Sequence, residues 1–289
     1  MKQYLDLLKT VLSEGTRQAN RTGIDAITTT GEIMKFKMSD GFPAVTTKKL
    51  AFKTMVGELL GFLRAYDNAA DFRALGCNIW DQNANENEAW LNNPNRKGVD
   101  SLGRIYGVQW RDYRGSDGSS IDQVCVAIKT IMNNPTNRRI IIDAWRPDEF
   151  HLMALPPCHV LYEFTVNVEK GELNLAMLQR SADCLLGVPF NVASASLFLS
   201  LMARLTSLKA GTFTHFLKHI YANHLDQVNE QLTREPFDLP TLKLSDNIKS
   251  LKKDATDEEI DQALRSIEPS DIALENYQSH AAIKAPMAV

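Results

Sequence analysis

Apolar residues recur at helical spacing in several stretches of this chain. The spacing is clearest at the start, where one face of a helix would carry Tyr4, Leu5, Leu8, Val11 and Leu12. Residues 52–64 and 121–133 show the same spacing. The pattern therefore predicts an amphipathic opening helix and two further helices.

Residues 184–203 carry no charge and are long enough to cross a membrane. However, Gly187, Pro189 and Asn191 interrupt the first half of this stretch, and three serines follow them. We therefore expect a turn followed by a buried helix over about 190–206, and no membrane partner.

The middle of the chain is rich in strand-forming residues. Four stretches are typical of strands, namely 139–145, 160–168, 173–178 and 237–244. Lys170 and Gly171 form a predicted turn between the second and third of them. With helices before and after, the pattern predicts an α+β fold of the α/β three-layer type.

No internal repeat or Gly/Ser linker divides the sequence, so we expect a single domain over 1–289. The Asn-rich loop 81–101 and the charged segment 247–271 have the composition of surface excursions, and neither is predicted to contribute to the core. The last five residues, 285–289, are apolar and are expected to dock rather than fray.

The composition is that of a soluble globular protein, with 44% hydrophobic and 23% charged residues. It excludes disordered, collagen-like and disulfide-dense classes. The net charge of −3 provides no general attraction to nucleic acid, so no nucleic-acid partner is expected. An anionic ligand must instead be bound by a local group of arginines.

The four cysteines show neither C-x-x-C pairs nor the spacing of a metal site, which indicates reduced thiols in a cytoplasmic protein and no metal. Cys158 follows two prolines and precedes a histidine. A free cysteine is most often a small buried apolar residue. A partly exposed thiol with positive neighbours would instead be a nucleophile.

The positive residues available to such a thiol are Arg21, Arg138, Arg139 and Arg180. Arginines beside apolar strands are costly unless they pair with anions, and a phosphate suits their planar fork. Ser181 adds a hydroxyl donor. Salt bridges to Asp or Glu are an equally good explanation for each arginine.

Several other polar residues have two interpretations. Asn191 is either a helix N-cap or the amide that reads a pyrimidine edge. His219 and Tyr221 share one face of an extended segment, and they either bind a sugar hydroxyl or form a buried structural pair. Glu58 stands in an apolar helix, where it is either solvated or a buried acid–base group with a raised pKa.

Twelve short motifs, in order along nearly the whole chain, resemble the thymidylate synthase family. They are 20–23 (NRTG), 40–49 (DGFPAVTTKK), 57–60 (GELL), 79–81 (IWD), 106–110 (YGVQW), 137–140 (NRRI), 155–159 (LPPCH), 179–183 (QRSAD), 186–191 (LGVPFN), 219–224 (HIYANH), 234–236 (REP) and 285–289 (APMAV). The resemblance implies a mixed central sheet with flanking helices, in a homodimer whose sheets pack back to back.

The resemblance also implies reductive methylation of dUMP to dTMP, with 5,10-methylenetetrahydrofolate as the co-substrate that is released as dihydrofolate. In this scheme Cys158 adds to uracil C6, Glu58 is the general acid–base, and Tyr106 lies near removal of the C5 proton. Asp183 contacts the pterin and counts among the catalytic residues. The C-terminal lid would exclude water during hydride transfer.

The remaining implied roles concern ligand binding. The dUMP phosphate would be bound by Arg21, Arg180 and Ser181, with Arg138 and Arg139 from the partner subunit. Asn191 would recognise the base, and His219 and Tyr221 would bind the 3′-hydroxyl. The folate would be enclosed by Ile79, Trp80, Leu186, Gly187, Phe190 and Val289.

The sequence departs from the family pattern just before His219. A glycine-containing turn is usual there. In this chain residues 213–218 (FTHFLK) lead straight into His219, and the segment is about two residues shorter than the family pattern. Asn83, Ala182 and Glu163 replace residues that are common in the family.

Two alternatives to the synthase reaction remain. A dUMP hydroxymethylase would let water capture the exocyclic methylene, and a non-catalytic homologue would bind nucleotide or RNA without turnover. Trp80 and the apolar C-terminus favour reduction. Asn191 favours uracil, because a cytosine-directed site is expected to carry aspartate there.

Overall fold

The structure is a computed structural model and describes residues 1–20 and 23–286. The helices of this part are α1 (Lys2–Glu14), α2 (Phe52–Leu63), α3 (Ala69–Ala74), α4 (Asp81–Asn85), α5 (Glu88–Leu91), α6 (Tyr106–Arg111), α7 (Gln123–Asn133), α8 (Gly187–Leu205), α9 (Leu225–Leu232) and α10 (Asp257–Ser266). The strands are β1 (Thr16–Gln18), β2 (Ala26–Lys37), β3 (Tyr113–Arg114), β4 (Ser120–Ile121), β5 (Ile141–Asp143), β6 (His159–Asn167), β7 (Glu172–Gln179), β8 (Lys209–Tyr221), β9 (Thr241–Leu244) and β10 (Ile272–Glu275).

Six strands form one mixed sheet in the order β1-β2-β8-β7-β6-β5. Neighbouring strands are antiparallel except β7 and β8, which run parallel. This parallel pair follows from the chain path, because α8 connects the two strands. The helices and the mixed sheet confirm the predicted α+β class.

Helix α8 lies at the centre of the core. It is long and apolar enough to cross a membrane, but 83% of its apolar stretch is buried inside the protein. Phe198 of α8 stacks on Trp110 of α6 at 5.3 Å between ring centroids. The predicted buried helix is therefore confirmed, although it begins earlier than expected, at Gly187.

The termini of several elements differ from the pattern-based bounds. Helix α7 begins at Gln123, because the Asp122 side chain accepts a hydrogen bond from the Cys125 N–H at 3.0 Å and caps the helix. The strand expected over 139–145 pairs only over Ile141–Asp143. The strand expected over 237–244 begins only after Pro240, which has no N–H to offer a neighbouring strand.

The two stretches predicted as surface excursions contribute buried residues. Within 81–101, α4 and α5 replace the expected loop, and Trp90 is buried with its indole N–H donating to the Ser101 carbonyl at 2.7 Å. Within 247–271, α10 presents Ile260 and Leu264 to the core. The polar composition of both stretches gave no sign of these buried residues. One or two apolar side chains are enough to attach a short helix to the core.

The segment before His219 forms no turn, since β8 runs without interruption to Tyr221. The neighbouring strand has an irregular register here: Thr28 pairs with His219, whereas Glu32 pairs with Leu217. Strand β2 therefore has two more residues than β8 over this interval, and they form a bulge. The bulge adjoins the end of β8 that carries His219 and Tyr221.

Candidate active site

A cavity of about 540 Å³ opens where β7 and β8 end. Five residues predicted for substrate chemistry line it together, namely Cys158, Arg180, Ser181, His219 and Tyr221. Trp90 and Asn87, from the stretch predicted as a loop, also line this cavity. The fold thus gathers side chains that are far apart in the sequence.

Cys158 is the cysteine that the cavity exposes. Its N–H donates to the Tyr106 hydroxyl at 2.7 Å, and its carbonyl accepts from the Arg180 N–H at 2.9 Å. The neighbouring His159 is turned inward to the Tyr162 hydroxyl, 3.0 Å away, and burial lowers its pKa to about 4. His159 is therefore neutral and supplies no positive charge to the thiol.

The other three cysteines are buried. Burial raises the pKa of Cys77 and of Cys125 to about 12 in each case. Burial also raises the pKa of Cys184. The interpretation as a buried apolar residue therefore holds for these three, whereas Cys158 is half-buried and faces the cavity.

Tyr106 and Glu58 lie behind Cys158, on α6 and α2. Burial raises the pKa of the Tyr106 hydroxyl well above its usual value, and the Cys158 thiol adds to this effect. Glu58 is buried rather than solvated, and burial raises its pKa to about 8. The Trp80 indole partly opposes that rise, although its N–H lies outside hydrogen-bond geometry with any described residue.

Arg180 is held by the two prolines that precede Cys158. Its Nε donates to the Pro157 carbonyl at 2.8 Å, and one Nη donates to the Pro156 carbonyl at 3.0 Å. Its guanidinium also lies over the Trp145 ring, 4.9 Å from the centroid. These contacts use two of five N–H donors, so the others are available to an anion.

Arg138 and Arg139 are exposed and do not line this cavity. The part of the chain described here gives neither of them an ion pair. The structure therefore does not bring them together with Arg180 within one subunit. Arg21 and Val289 lie outside the described residues.

Asn191 belongs to a buried chain of hydrogen bonds. Its Oδ1 accepts from Nε2 of Gln179 at 3.0 Å, and Gln179 Nε2 also donates to the Ser181 carbonyl at 2.9 Å. His215 Nε2 lies 2.7 Å from Gln179 Oε1. Because burial lowers the pKa of His215 to about 3, the ring is neutral and donates from Nε2.

This chain determines which way the Asn191 amide faces. The Ser181 carbonyl only accepts, so Gln179 must direct its amide nitrogen to Ser181 and Asn191. Asn191 then directs its oxygen to Gln179 instead of acting as a helix N-cap. An amide held in this way presents a defined donor and acceptor to a ligand.

Gln179 and His215 were not assigned a role from the sequence, although a signal was present. Gln179 follows Leu173, Leu175 and Met177 at every second position of β7, and all three face the core. His215 likewise follows buried Phe213 on β8. A polar residue in an inward series of this kind indicates a buried hydrogen-bond partner.

His219 and Tyr221 stand two residues apart at the end of β8 and face the cavity. Their rings pack edge to face at 4.9 Å between centroids. Burial lowers the pKa of His219. The two rings therefore support each other, and both remain accessible to a ligand in the cavity.

Four of the residues expected to contact a folate, namely Asp183, Leu186, Gly187 and Phe190, lie at the start of α8. Asp183 accepts from the N–H groups of Leu185 at 3.0 Å and Leu186 at 3.3 Å, which holds its carboxylate in place. Nearby, Gly187 and Phe190 are half-buried. The carboxylate oxygens have further lone pairs that can accept N–H donors of a ligand.

Trp80 and Ile79 lie apart from these residues, and Trp80 is buried in the core beside Tyr106. The Trp80 ring packs edge to face on Tyr106 at 5.7 Å and on Phe62 at 6.0 Å. Ile79 is exposed. Of the two, only Ile79 therefore offers apolar surface to a ligand in this structure.

Within residues 1–20 and 23–286, no group of three or more His, Cys, Asp or Glu side chains is arranged to hold a metal ion.

Comparison with known proteins gives full-length matches. The sequence model of the thymidylate synthase family matches residues 2–289. The chain is 45% identical to the thymidylate synthase of Pseudomonas syringae pv. tomato over 325 aligned positions, which cover both chains completely. It is 46% identical to that of Pseudomonas putida and 44% identical to that of Bordetella bronchiseptica, again over the full length of both chains.

Proposed function

Because the chain belongs to the thymidylate synthase family, we infer that it is a thymidylate synthase that methylates dUMP to dTMP. Full-length relatives at 44–46% identity carry this name. The observation that carries the mechanism is the half-buried Cys158 in a cavity shared with Arg180 and Ser181. The hydroxymethylase and the non-catalytic homologue are not favoured.

Cys158 is the proposed nucleophile. C5 of uracil is too electron-poor to attack a one-carbon unit unaided, so a covalent adduct is required. As the Sγ–C6 bond forms, the C5=C6 π electrons move toward C5, which becomes nucleophilic. Once the C5 proton has been removed and the methyl group completed, the Sγ–C6 bond breaks and the double bond returns.

Glu58 is the proposed proton-transfer group, and Tyr106 is proposed to lie near the step that removes the C5 proton. With a pKa of about 8, Glu58 exchanges protons near neutral pH, which an ordinary surface carboxylate does not. Tyr106 donates no proton readily, because its pKa is raised far above neutrality. Its hydroxyl instead orients Cys158 and stands beside the C5 position.

The nucleotide is proposed to lie along the ends of β7 and β8. Arg180 and Ser181 bind the phosphate, together with Arg21. Asn191 accepts from uracil N3–H and donates to O4. His219 and Tyr221 reach the 3′-hydroxyl, which accounts for two polar rings on one face of β8.

The co-substrate 5,10-methylenetetrahydrofolate supplies the one-carbon unit and the hydride, and leaves as dihydrofolate. Its pterin carries N–H donors that suit the free lone pairs of Asp183. The apolar surfaces of Ile79, Trp80, Leu186, Gly187 and Phe190 suit its flat rings and exclude water, and Val289 is proposed to complete the enclosure. This exclusion favours reduction over capture of the methylene by water.

A homodimer is proposed from the outer face of the sheet. An apolar row crosses four strands, because Ile33 pairs with Phe216, Phe216 with Leu178, and Leu178 with Leu161. The first three are 56%, 37% and 41% exposed. Back-to-back packing of two such sheets buries this row, and exposed apolar surface of this extent is typical of an interface.

Arg138 and Arg139 are proposed to reach the phosphate site of the partner subunit. Both are exposed here and do not line the cavity of their own subunit. Mixing Cys158→Ser subunits with Arg139→Glu subunits tests this, because one site of each mixed dimer then combines an intact thiol with an intact arginine. Recovery of activity supports the exchange of residues, and an inactive mixture with proven subunit exchange contradicts it.

The whole chain is proposed to act as one domain in the cytoplasm, where the Cys158 thiol stays reduced.

The reaction is tested by incubating the protein with dUMP and methylenetetrahydrofolate and weighing the nucleotide by mass spectrometry. We expect dTMP with an equal amount of dihydrofolate. Hydroxymethyl-dUMP without dihydrofolate would identify a hydroxymethylase, and no product would indicate a binding role.

A further inference from the structure

His224 contacts both the proposed folate site and the C-terminal segment. The residue is fully buried at the start of α9. Its Nε2 lies 2.7 Å from the Pro286 carbonyl, and its Nδ1 lies 3.4 Å from Oδ1 of Asp183. The two ring nitrogens thus face two different parts of the chain.

Both neighbours of the ring can only accept hydrogen bonds. Pro286 offers a carbonyl, and Asp183 offers a carboxylate, so a ring that satisfies both carries N–H on both nitrogens. Burial by itself lowers the pKa of His224, but contacts with Asp183 and Pro286 outweigh it and leave the pKa above its usual value. Lys48, the other charged group nearby, opposes this rise.

The Nδ1 contact is an ion pair rather than a formed hydrogen bond. Nδ1 is buried and has no hydrogen-bond partner among the described residues, although Asp183 Oδ1 is 3.4 Å away. A small rotation of the ring or the carboxylate would complete the bond. The N–H groups of Leu185 and Leu186 already restrain the Asp183 carboxylate.

We propose that His224 is a positioning residue for the folate co-substrate, which holds the C-terminal segment at Pro286 and orients the Asp183 carboxylate through its opposite nitrogens. The role rests on the proposed function of Asp183 in binding the pterin. Other contacts hold this segment further back, where the His280 N–H donates to Thr46 and Arg234 donates to Ala281. The His224 contact with Pro286 connects the last described part of this segment to Asp183.

Two substitutions separate the two contacts. In His224→Asn the amide nitrogen takes the place of Nδ1, and the side chain is too short to reach the Pro286 carbonyl. In His224→Gln it takes the place of Nε2 and keeps that reach while losing Asp183. His280→Asn is the matched control, because the His280 ring bonds the Glu235 carbonyl in the same segment, away from Asp183.

The measurements are hydrogen exchange of the C-terminal peptide without ligands, and KM for the folate and for dUMP. We expect His224→Asn to speed exchange by about tenfold, as for the loss of one hydrogen bond from a charged donor, and His224→Gln to leave exchange unchanged. Both variants are expected to raise the folate KM by about tenfold and to spare the dUMP KM. His280→Asn leaves the folate KM unchanged.

Equal exchange in the Asn and Gln variants, or an unchanged folate KM in both, overturns the proposal. A rise in both KM values together with a lower Tm in every variant indicates a merely structural residue and also overturns it. If the unsubstituted protein forms no dTMP, the proposed function fails. The exchange comparison needs no substrate, so it still tests the bridge between α9 and Pro286.

Discussion

Replacing His215 with phenylalanine tests whether a buried chain of hydrogen bonds determines the choice between uracil and cytosine. The substitution keeps the ring and its stacking on Phe213, 5.7 Å away, but removes the N–H that meets Gln179. Gln179 Oε1 then has no donor in a site that excludes water. The Gln179 amide then keeps its bond to the Ser181 carbonyl but loses the His215 contact, so it holds the Asn191 amide less firmly.

The expected magnitude follows from the burial of both partners. A buried carbonyl that loses its donor costs about 1–3 kcal/mol, so the free energy of unfolding should fall by about that amount. The His215 contact contributes this energy to the orientation of the Asn191 amide that suits uracil, in addition to the contact with Ser181. The ratio of kcat/KM for dUMP to that for dCMP should therefore fall by roughly 5- to 150-fold.

The assay compares the two nucleotides with each variant at saturating methylenetetrahydrofolate, alongside urea unfolding. Phe213→Leu is the control, because it removes buried apolar volume next to His215 without touching the hydrogen-bond chain. It should lower stability and leave the dUMP to dCMP ratio unchanged. An unaltered ratio in His215→Phe, or an equal shift in Phe213→Leu, would refute the reasoning.

Four further substitutions test separate parts of the structure. Cys158→Ser should abolish dTMP formation while dUMP still binds in a titration, and retained turnover would exclude the covalent mechanism. Asn191→Asp should shift preference from dUMP toward dCMP, which competition between the two nucleotides measures. Glu58→Gln should lower kcat by at least about 100-fold, the usual range for loss of a general acid–base group. Glu58 also holds a proton in the folded state up to a pH of about 8 but releases it near 4.5 when unfolded, so wild-type stability should fall as pH rises between these values. Urea unfolding of Glu58→Gln should lack this dependence, and an identical slope would contradict the burial of the carboxyl. Gly107→Ala should reduce the free energy of unfolding by about 3 kcal/mol, because the added Cβ would overlap the Phe62 backbone, and thermal unfolding measures the loss.

Much of the fold was predictable where one periodicity continues over many residues. Helices α1, α2 and α8 and strands β6 and β7 appear within a few residues of their predicted bounds. Prediction was poorest where a single residue decides the structure. Trp90 in an Asn-rich stretch and the isolated anchors of α10 give no periodic signal, yet they attach short helices to the core.

The candidate site shows a similar division. Motifs identified the reactive types of residue, including Cys158 and Arg180, and the structure places these two in one cavity. Motifs did not reveal that Gln179 and His215 orient Asn191. That relation depends on strands β7 and β8 lying side by side, which neither strand specifies alone.

The sequence by itself determined the periodic elements, the absence of a general positive field and the set of chemically competent side chains, since these depend on residue type and spacing. Only the tertiary structure decided which groups are buried. It left Cys158 half-exposed and enclosed Cys184, and it placed the Tyr106 hydroxyl against a residue 52 positions away. Burial and hydrogen bonding of this kind set pKa values and orientations, and they arise from contacts between distant segments that local spacing does not encode.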